Sequence, residues 1–210
     1  MKKEVNADLF SLSKISMVIR FLVISDFFIW GSWGLIYPIF AIYITDNIQG
    51  GGLAVAGIAY GIFVFTRSLF QIPIAIFADK TKGEKDDFWF MLSGTCLLIL
   101  TPILMIYIDH IWQLYAVQVI HGLGNAAIYP TRMAIFTRHI DKKHEGLEWG
   151  IFQTMMDISL AFSAFLGGFI VSSFGWNTLL ITRSVLYFLG ALFVLGIYRQ
   201  MKKGKILFAR

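Results

Sequence analysis

Residues Ile74–Trp89 read IAIFADKTKGEKDDFW. The apolar run stops at Asp79, seven of the nine positions from Asp79 to Asp87 are charged, and apolar sequence resumes at Phe88. Charge this dense between two greasy segments is expected where a chain leaves a hydrocarbon medium. Irregular backbone cannot satisfy its N–H and C=O groups in lipid and must turn in water.

The flanks support that reading. The chain has 210 residues, 57% hydrophobic and 15% charged, with net charge +5 and mean hydropathy +0.70. Soluble domains run at about 45–50% apolar and about 25% charged. A bilayer-spanning helix needs about 20 mostly apolar residues. Six runs qualify: Ile19–Thr45, Leu53–Ala78, Phe88–Ile108, Ile111–Thr137, Trp149–Ser173 and Thr178–Tyr198. The expectation is an all-α membrane protein with six transmembrane helices. Residues 1–18 form an N-terminal cytoplasmic segment, 19–198 the bundle and 199–210 a basic cytoplasmic tail. Val5, Leu9 and Leu12 suggest a short surface helix within residues 1–16. The first run is too long for a cleavable signal peptide.

The charges fix the orientation. Fifteen of the 18 Lys and Arg lie in the two terminal segments, counting Arg20 at the very start of the first run, and in the bends after the second and fourth runs. The other three turns, at Asp46–Gly52, Asp109–His110 and Ser173–Asn177, carry none. Lys and Arg in short loops mark the cytoplasmic side, so both termini are predicted there. Trp89 and Trp149 begin runs on the inner side, and Trp112 and Trp176 on the outer side, where amphipathic rings favour the interface. The basic balance is accounted for by topology, and nucleic acid is not an expected partner.

Enzyme chemistry is not expected. The only string near a rhomboid-type serine is MLSG at Met91–Gly94, and neither a Gly-x-Gly-Asp motif nor a G-x-x-x-x-G-K-[ST] phosphate loop occurs. Cys96 is the single cysteine and reads as a buried small apolar residue. No metal or cofactor is expected.

Ionisable groups at membrane depth are costly and point to function. Asp26, Trp30, Trp33 and Tyr37 recur on one side of a helix, and so do Gln118, His121, Asn125, Tyr129 and Arg132. The two stripes suit an aromatic, hydrated cavity for an organic solute, with Asp26 and His121 able to exchange protons. Arg67 lies about 18 Å from the inner bend and Asp157 about 12 Å, at ~1.5 Å per residue. They are expected to pair and to serve proton coupling with Asp26 and His121. Arg132, near the inner end, is expected to snorkel. Arg183 reads equally as structural or functional. Gly57 and Gly61, and Ser159, Ser163 and Gly167, are small-residue stripes that favour close helix packing.

The opening stretch resembles a motif of the major facilitator superfamily, G-x-x-x-D-R-x-G-R-R between helices 2 and 3. Ala75 stands at the first glycine, Asp79 at the aspartate and Lys80 at the arginine, and Gly83 comes one residue late. The fourth run resembles the family's R-x-x-Q-G-x-G-x-A through Gln118, His121, Gly122, Gly124 and Ala126, with glutamine in place of the arginine. GLIYP at Gly34–Pro38 and FGW at Phe174–Trp176 look familiar from the same family, whereas the antiporter pattern retains only Gly167 and Gly168. The resemblance covers nearly the whole chain as the N-terminal half of a twelve-helix transporter, a 3+3 inverted repeat. It implies that helices 1 and 4 line a central cavity. It also implies a conformational latch of Asp79, Lys80 and Gly83, with Arg132 or Arg138 as partner of the aspartate.

The function expected is secondary active transport of a small organic solute, coupled to protons, with drug or metabolite efflux as one direction. The alternative is a non-transporting membrane subunit of the same fold. A homodimer or a second six-helix half is the expected partner beside solute and lipid. Asp26 and Asp157 favour cationic solutes, Arg67 anionic ones. Reporter fusions test the orientation: alkaline phosphatase joined after His110 should be active and one joined after Lys142 inactive, whereas the reverse would invert the topology.

Overall fold

The computed structural model describes residues 16–80 and 85–208, with side chains through Arg199. The elements are helical: α1 (Met17–Ile36), a 3-10 turn (Tyr37–Ile39), α2 (Phe40–Asn47), α3 (Leu53–Lys80), α4 (Lys85–Met105), α5 (Ile111–His139) and α6 (Glu145–Phe208). All but Ser16 of the surface helix expected within residues 1–16, and Gly83 of the charged bend, lie outside the described residues.

Local chemistry explains where these helices begin and bend. Ser16 Oγ accepts the Ile19 N–H at 3.2 Å and caps α1. Pro38 has no N–H to donate, so the first run breaks into α1, one tight turn and α2. Gln113 Oε1 accepts the backbone N–H groups of Asp109 (3.0 Å) and His110 (2.9 Å) at the start of α5. Gly175, at φ 81° and ψ 173°, breaks the hydrogen-bonded run of α6, a conformation open to glycine because it lacks Cβ. The break falls in the turn predicted at Ser173–Asn177. α4 ends at Met105, three residues before the expected Ile108, in a turn closed by Ile106 N–H on Ile103 O.

Among the described residues, four stretches are long and apolar enough to cross a membrane: Met17–Asn47, Leu53–Lys80, Lys85–Met105 and Glu145–Arg199. α5 is equally long but carries Gln118, His121, Asn125 and Arg132. α5 lies between α3 and α4, and α6 packs along α1 and against α4. The buried side chains form two clusters. One holds Leu22, Phe88, Met91, Phe136 and Met156; the other holds Leu35, Ile44, Leu114 and Leu179. In chain register the polar groups Ser32, His121 and Arg183 fall between them.

The turns gather as the charge pattern predicts. Gln49 N–H donates to Asp109 O at 2.8 Å, and Trp176 Nε1 donates to Asp46 Oδ2 at 3.2 Å, so the three turns without Lys or Arg share one end. At the other end Arg138 pairs with Asp87. Trp89 and Trp112, at the starts of α4 and α5, are exposed.

Small residues set the helix spacing at some predicted positions and not at others. A Cβ on Gly94 would lie 2.6 Å from Gly124 O, and one on Gly122 would lie 2.7 Å from Thr66 Cβ. The glycines of the fourth run therefore let α5 close on α4 and α3 together. Ser159 Oγ donates to Phe27 O, and Gly34 packs on Ser163 and Leu160, so the stripe on α6 meets α1. Gly57 and Gly61 meet nothing within 4 Å; that pair lies on the outward face of α3. Cys96, expected inside, is also exposed, because its side of α4 points away from α5.

Overpacking a helix contact costs about 1–3 kcal/mol. Gly124→Val should lower the thermal midpoint in detergent accordingly. An unchanged midpoint would show that α4 and α5 do not meet at this glycine.

Candidate functional site

Asp26 sits on the inward face of α1 and is 1% exposed; Arg132 on α5 is 4% exposed. Arg132 Nη1 lies 3.2 Å from Asp26 Oδ1. The guanidinium carbon stands 6.0 Å from the Trp30 ring centre and 5.6 Å from that of Tyr129. Arg132 therefore does not snorkel. Its side chain turns into the bundle, where a carboxylate and two π-faces offset the cost of burying it. Asp26 Oδ2 and Arg132 Nε have no hydrogen-bond partner, so the pair is joined through one oxygen and is incompletely satisfied.

The two predicted stripes face each other. The Trp33 ring lies 5.1 Å from His121 and 5.3 Å from Phe63, and His121 stacks on Phe63 at 4.6 Å. His121 Nδ1 lies 3.5 Å from Gln118 Oε1, while its Nε2 is buried without a partner. Asn125 Nδ2 donates to His121 O at 3.0 Å, a bond within its own helix. Two cavities adjoin these groups. One, of about 250 Å³, is lined by Trp33, Tyr37, Gln118, His121 and Arg183 among others. The second, of about 290 Å³, is lined by Trp30, Arg67, Asn125 and Arg132 and shares Trp33, Tyr37 and Tyr60 with the first. Trp30, Trp33, Tyr37, Gln118 and Asn125, the predicted cavity residues, all stand in these walls.

The expected Arg67–Asp157 pair does not form. Asp157 is exposed and accepts from Gln153 Nε2 at 2.8 Å. Arg67 lies 5.6 Å over the Phe63 ring, with Nε unpartnered. The depths matched but the directions did not. Asp157 is two residues from Ser159, hence about 200° around a helix of 3.6 residues per turn, and Ser159 is the face that meets α1.

The latch residues also differ from expectation. Asp79 and Lys80 are exposed at the end of α3, with Lys80 Nζ 5.4 Å from the Phe77 ring. Arg132 is taken by Asp26 and Arg138 by Asp87, so neither candidate partner reaches Asp79. Asp87 is the buried carboxylate of this bend, 0% exposed in the first turn of α4, where the helix dipole favours an anion. At the next bend on this end, His144 and the Lys143 N–H bond to Asp141 and hold its carboxyl below the usual range.

Arg183, open between a structural and a functional reading in the sequence, takes a definite place. It is 2% exposed and joins the first cavity wall from α6. Its Nε donates to Ser32 O at 3.0 Å, and Ser32 Oγ donates back to Arg183 O at 3.0 Å. Ser32 was the available signal, one position from the α1 stripe, but pairing it with Arg183 required the α1–α6 contact.

Residues 22–208 match the model of the Major Facilitator Superfamily. An uncharacterized MFS-type transporter of Methanocaldococcus jannaschii is 25% identical over 176 residues, covering 83% of this chain and 42% of its own length. The multi-drug resistance efflux pump PmrA of Streptococcus pneumoniae is 24% identical over 185 residues, covering 87% and 45%. This chain thus spans less than half the length of either. The crystal structure of the POT family transporter PepTSo superposes with a TM-score of 0.71 at 16% identity, over 88% of this chain and 38% of that one, a likeness of fold.

Removing one member of a buried ion pair costs about 3–5 kcal/mol, because the other charge is left uncompensated. Asp26→Asn and Arg132→Gln should each destabilise the protein in thermal unfolding, and the double variant should lose clearly less than the sum. Additive losses would mean the two groups do not interact.

Proposed function

The chain belongs to the major facilitator superfamily, and from that premise we propose that it moves a small organic solute by secondary active transport coupled to protons. It is an integral plasma-membrane protein of a transporter family, not an enzyme. The observation that carries the proposal is the buried Asp26–Arg132 pair in contact with the wall of an aromatic cavity. A carboxylate that takes up a proton loses its hold on the guanidinium. Arg132 is then free to reorient between Trp30 and Tyr129, and α1 is free to move against α5. Such a step links proton occupancy to the two arrangements that alternating access requires.

In this reading the chain crosses the membrane six times: once through α1 and α2 together, once each through α3, α4 and α5, and twice through α6 on either side of Gly175. Both termini and the basic bends face the cytoplasm, and the bundle is a 3+3 inverted repeat. Trp30, Trp33, Tyr37, Gln118 and Asn125 face the solute. His121 is a further proton-exchange candidate, and Asp157 acts separately from Arg67. The bend at Asp79, Lys80 and Gly83 is a latch whose partner lies elsewhere than Arg132 or Arg138. A second copy or a second six-helix half covers the exposed face of α3. The pneumococcal relative favours export of drugs or metabolites as the direction.

Proteoliposomes test the coupling. A transported solute should drive proton movement across the membrane, and Asp26→Asn should abolish it while Asp157→Asn reduces it less. Proton movement unaffected by Asp26→Asn would end the coupling role. Its complete absence in the intact assembly with every solute class would favour a non-transporting subunit.

A further inference from the structure

We infer that the solute carries a carboxylate, and that Arg183, seconded by Arg67, is the group that recognises it. The inference rests on the transport reading and names its substrate class. The starting point is the charge on the cavity walls. Three guanidinium groups line the two cavities, those of Arg183, Arg67 and Arg132, and no Asp or Glu does. Arg132 has Asp26. Among the described residues no carboxylate lies within ion-pair distance of Arg67 or Arg183.

Arg183 is held, but only by neutral groups. Ser32 O accepts from Nε at 3.0 Å, Met105 Sδ lies 3.8 Å from Nη1, and the Tyr187 ring centre is 5.9 Å from Cζ. These contacts satisfy hydrogen bonds and fix the fork in place. They do not neutralise a full positive charge at 2% exposure, and a buried charge without a counter-charge is expensive. A solute carboxylate supplies that counter-charge and can meet the fork through two parallel hydrogen bonds. His121, 5% exposed in the same wall, adds a buried Nε2 with no partner.

The acids that favoured a cationic solute no longer oppose this. Asp26 is engaged by Arg132, and Asp157 is on the exposed face with Gln153. The apolar part of the solute is met by Trp33, Tyr37 and Tyr60, which line both cavities. The class indicated is a small carboxylic acid anion with an aromatic or aliphatic body.

The test uses the full chain in its native assembly in lipid nanodiscs, with tryptophan fluorescence as the binding signal. Phenylacetate is compared with phenylacetamide and phenethylamine, and hexanoate with hexanamide and hexylamine. In at least one series the carboxylate should bind at least tenfold more tightly than both analogues. Arg183→Gln should bring that ratio close to one and Arg183→Lys should keep part of it. Arg67→Gln, at a half-buried position that threatens folding less, should reduce the ratio severalfold. Equal or tighter binding of the amide or amine in both series, or a preference unchanged in both the Arg183→Gln and Arg67→Gln variants, overturns the inference. If proton-coupled transport of another solute survives that result, the transport reading stands. Tight carboxylate binding without any transport keeps the site and removes the transport reading.

Discussion

The interior of this bundle is organised by the cost of placing charge in hydrocarbon. Asp26 and Arg132 come from helices α1 and α5, 106 positions apart in the chain, and each would be a severe liability alone. Bringing them together requires α1 and α5 to present the same depth and the same azimuth to a common space. Once that requirement is met, Trp30, Trp33 and His121 are carried to the same side, and the cavity walls follow. A well-packed apolar substitute can match a buried ion pair, so net stability does not by itself account for a pair at this depth.

Close backbone packing makes this interior geometrically possible. Gly122 and Gly124 let α5 approach α3 and α4 at once, and the Ser159, Ser163 and Gly167 stripe does the same for α6 on α1. With those contacts narrow, the polar faces of α1 and α5 remain open toward each other instead of being filled by side chains. The same economy is absent from the outward face of α3, where Gly57 and Gly61 meet open space. That face shows large apolar groups such as Phe65, Leu69 and Ile72.

Much of this was legible in the sequence because one-dimensional patterns report one-dimensional facts. Apolar length gave the helical stretches to within a few residues, and the Lys and Arg spacing separated the two ends. Helical periodicity put Asp26, Trp30 and Trp33 on one face and Gln118 and His121 on another. Pairing across helices was less accessible. Arg67 and Asp157 matched in depth, yet Asp157 points away because Ser159 occupies the packing face. Arg132 was assigned to snorkelling from its nearness to the inner end, a rule that ignores a carboxylate waiting on another helix. Asp87 was missed and Arg183 was left open between two roles for the same reason: their partners, Arg138 and Ser32, are neighbours only after α4 meets α5 and α6 meets α1.

The central claim is that these polar groups share a water-accessible interior. In a Cys96→Ala background, single cysteines at Trp30, Trp33, Tyr37 and Asn125 can be challenged with a membrane-impermeant thiol reagent, beside cysteines at the outward positions Phe65, Leu69 and Ile158. Rapid modification of the first set with protection of the second is the predicted result. Protection of both sets in the intact assembly would contradict it, since the cavity would then be closed to water and the charged groups would serve packing alone.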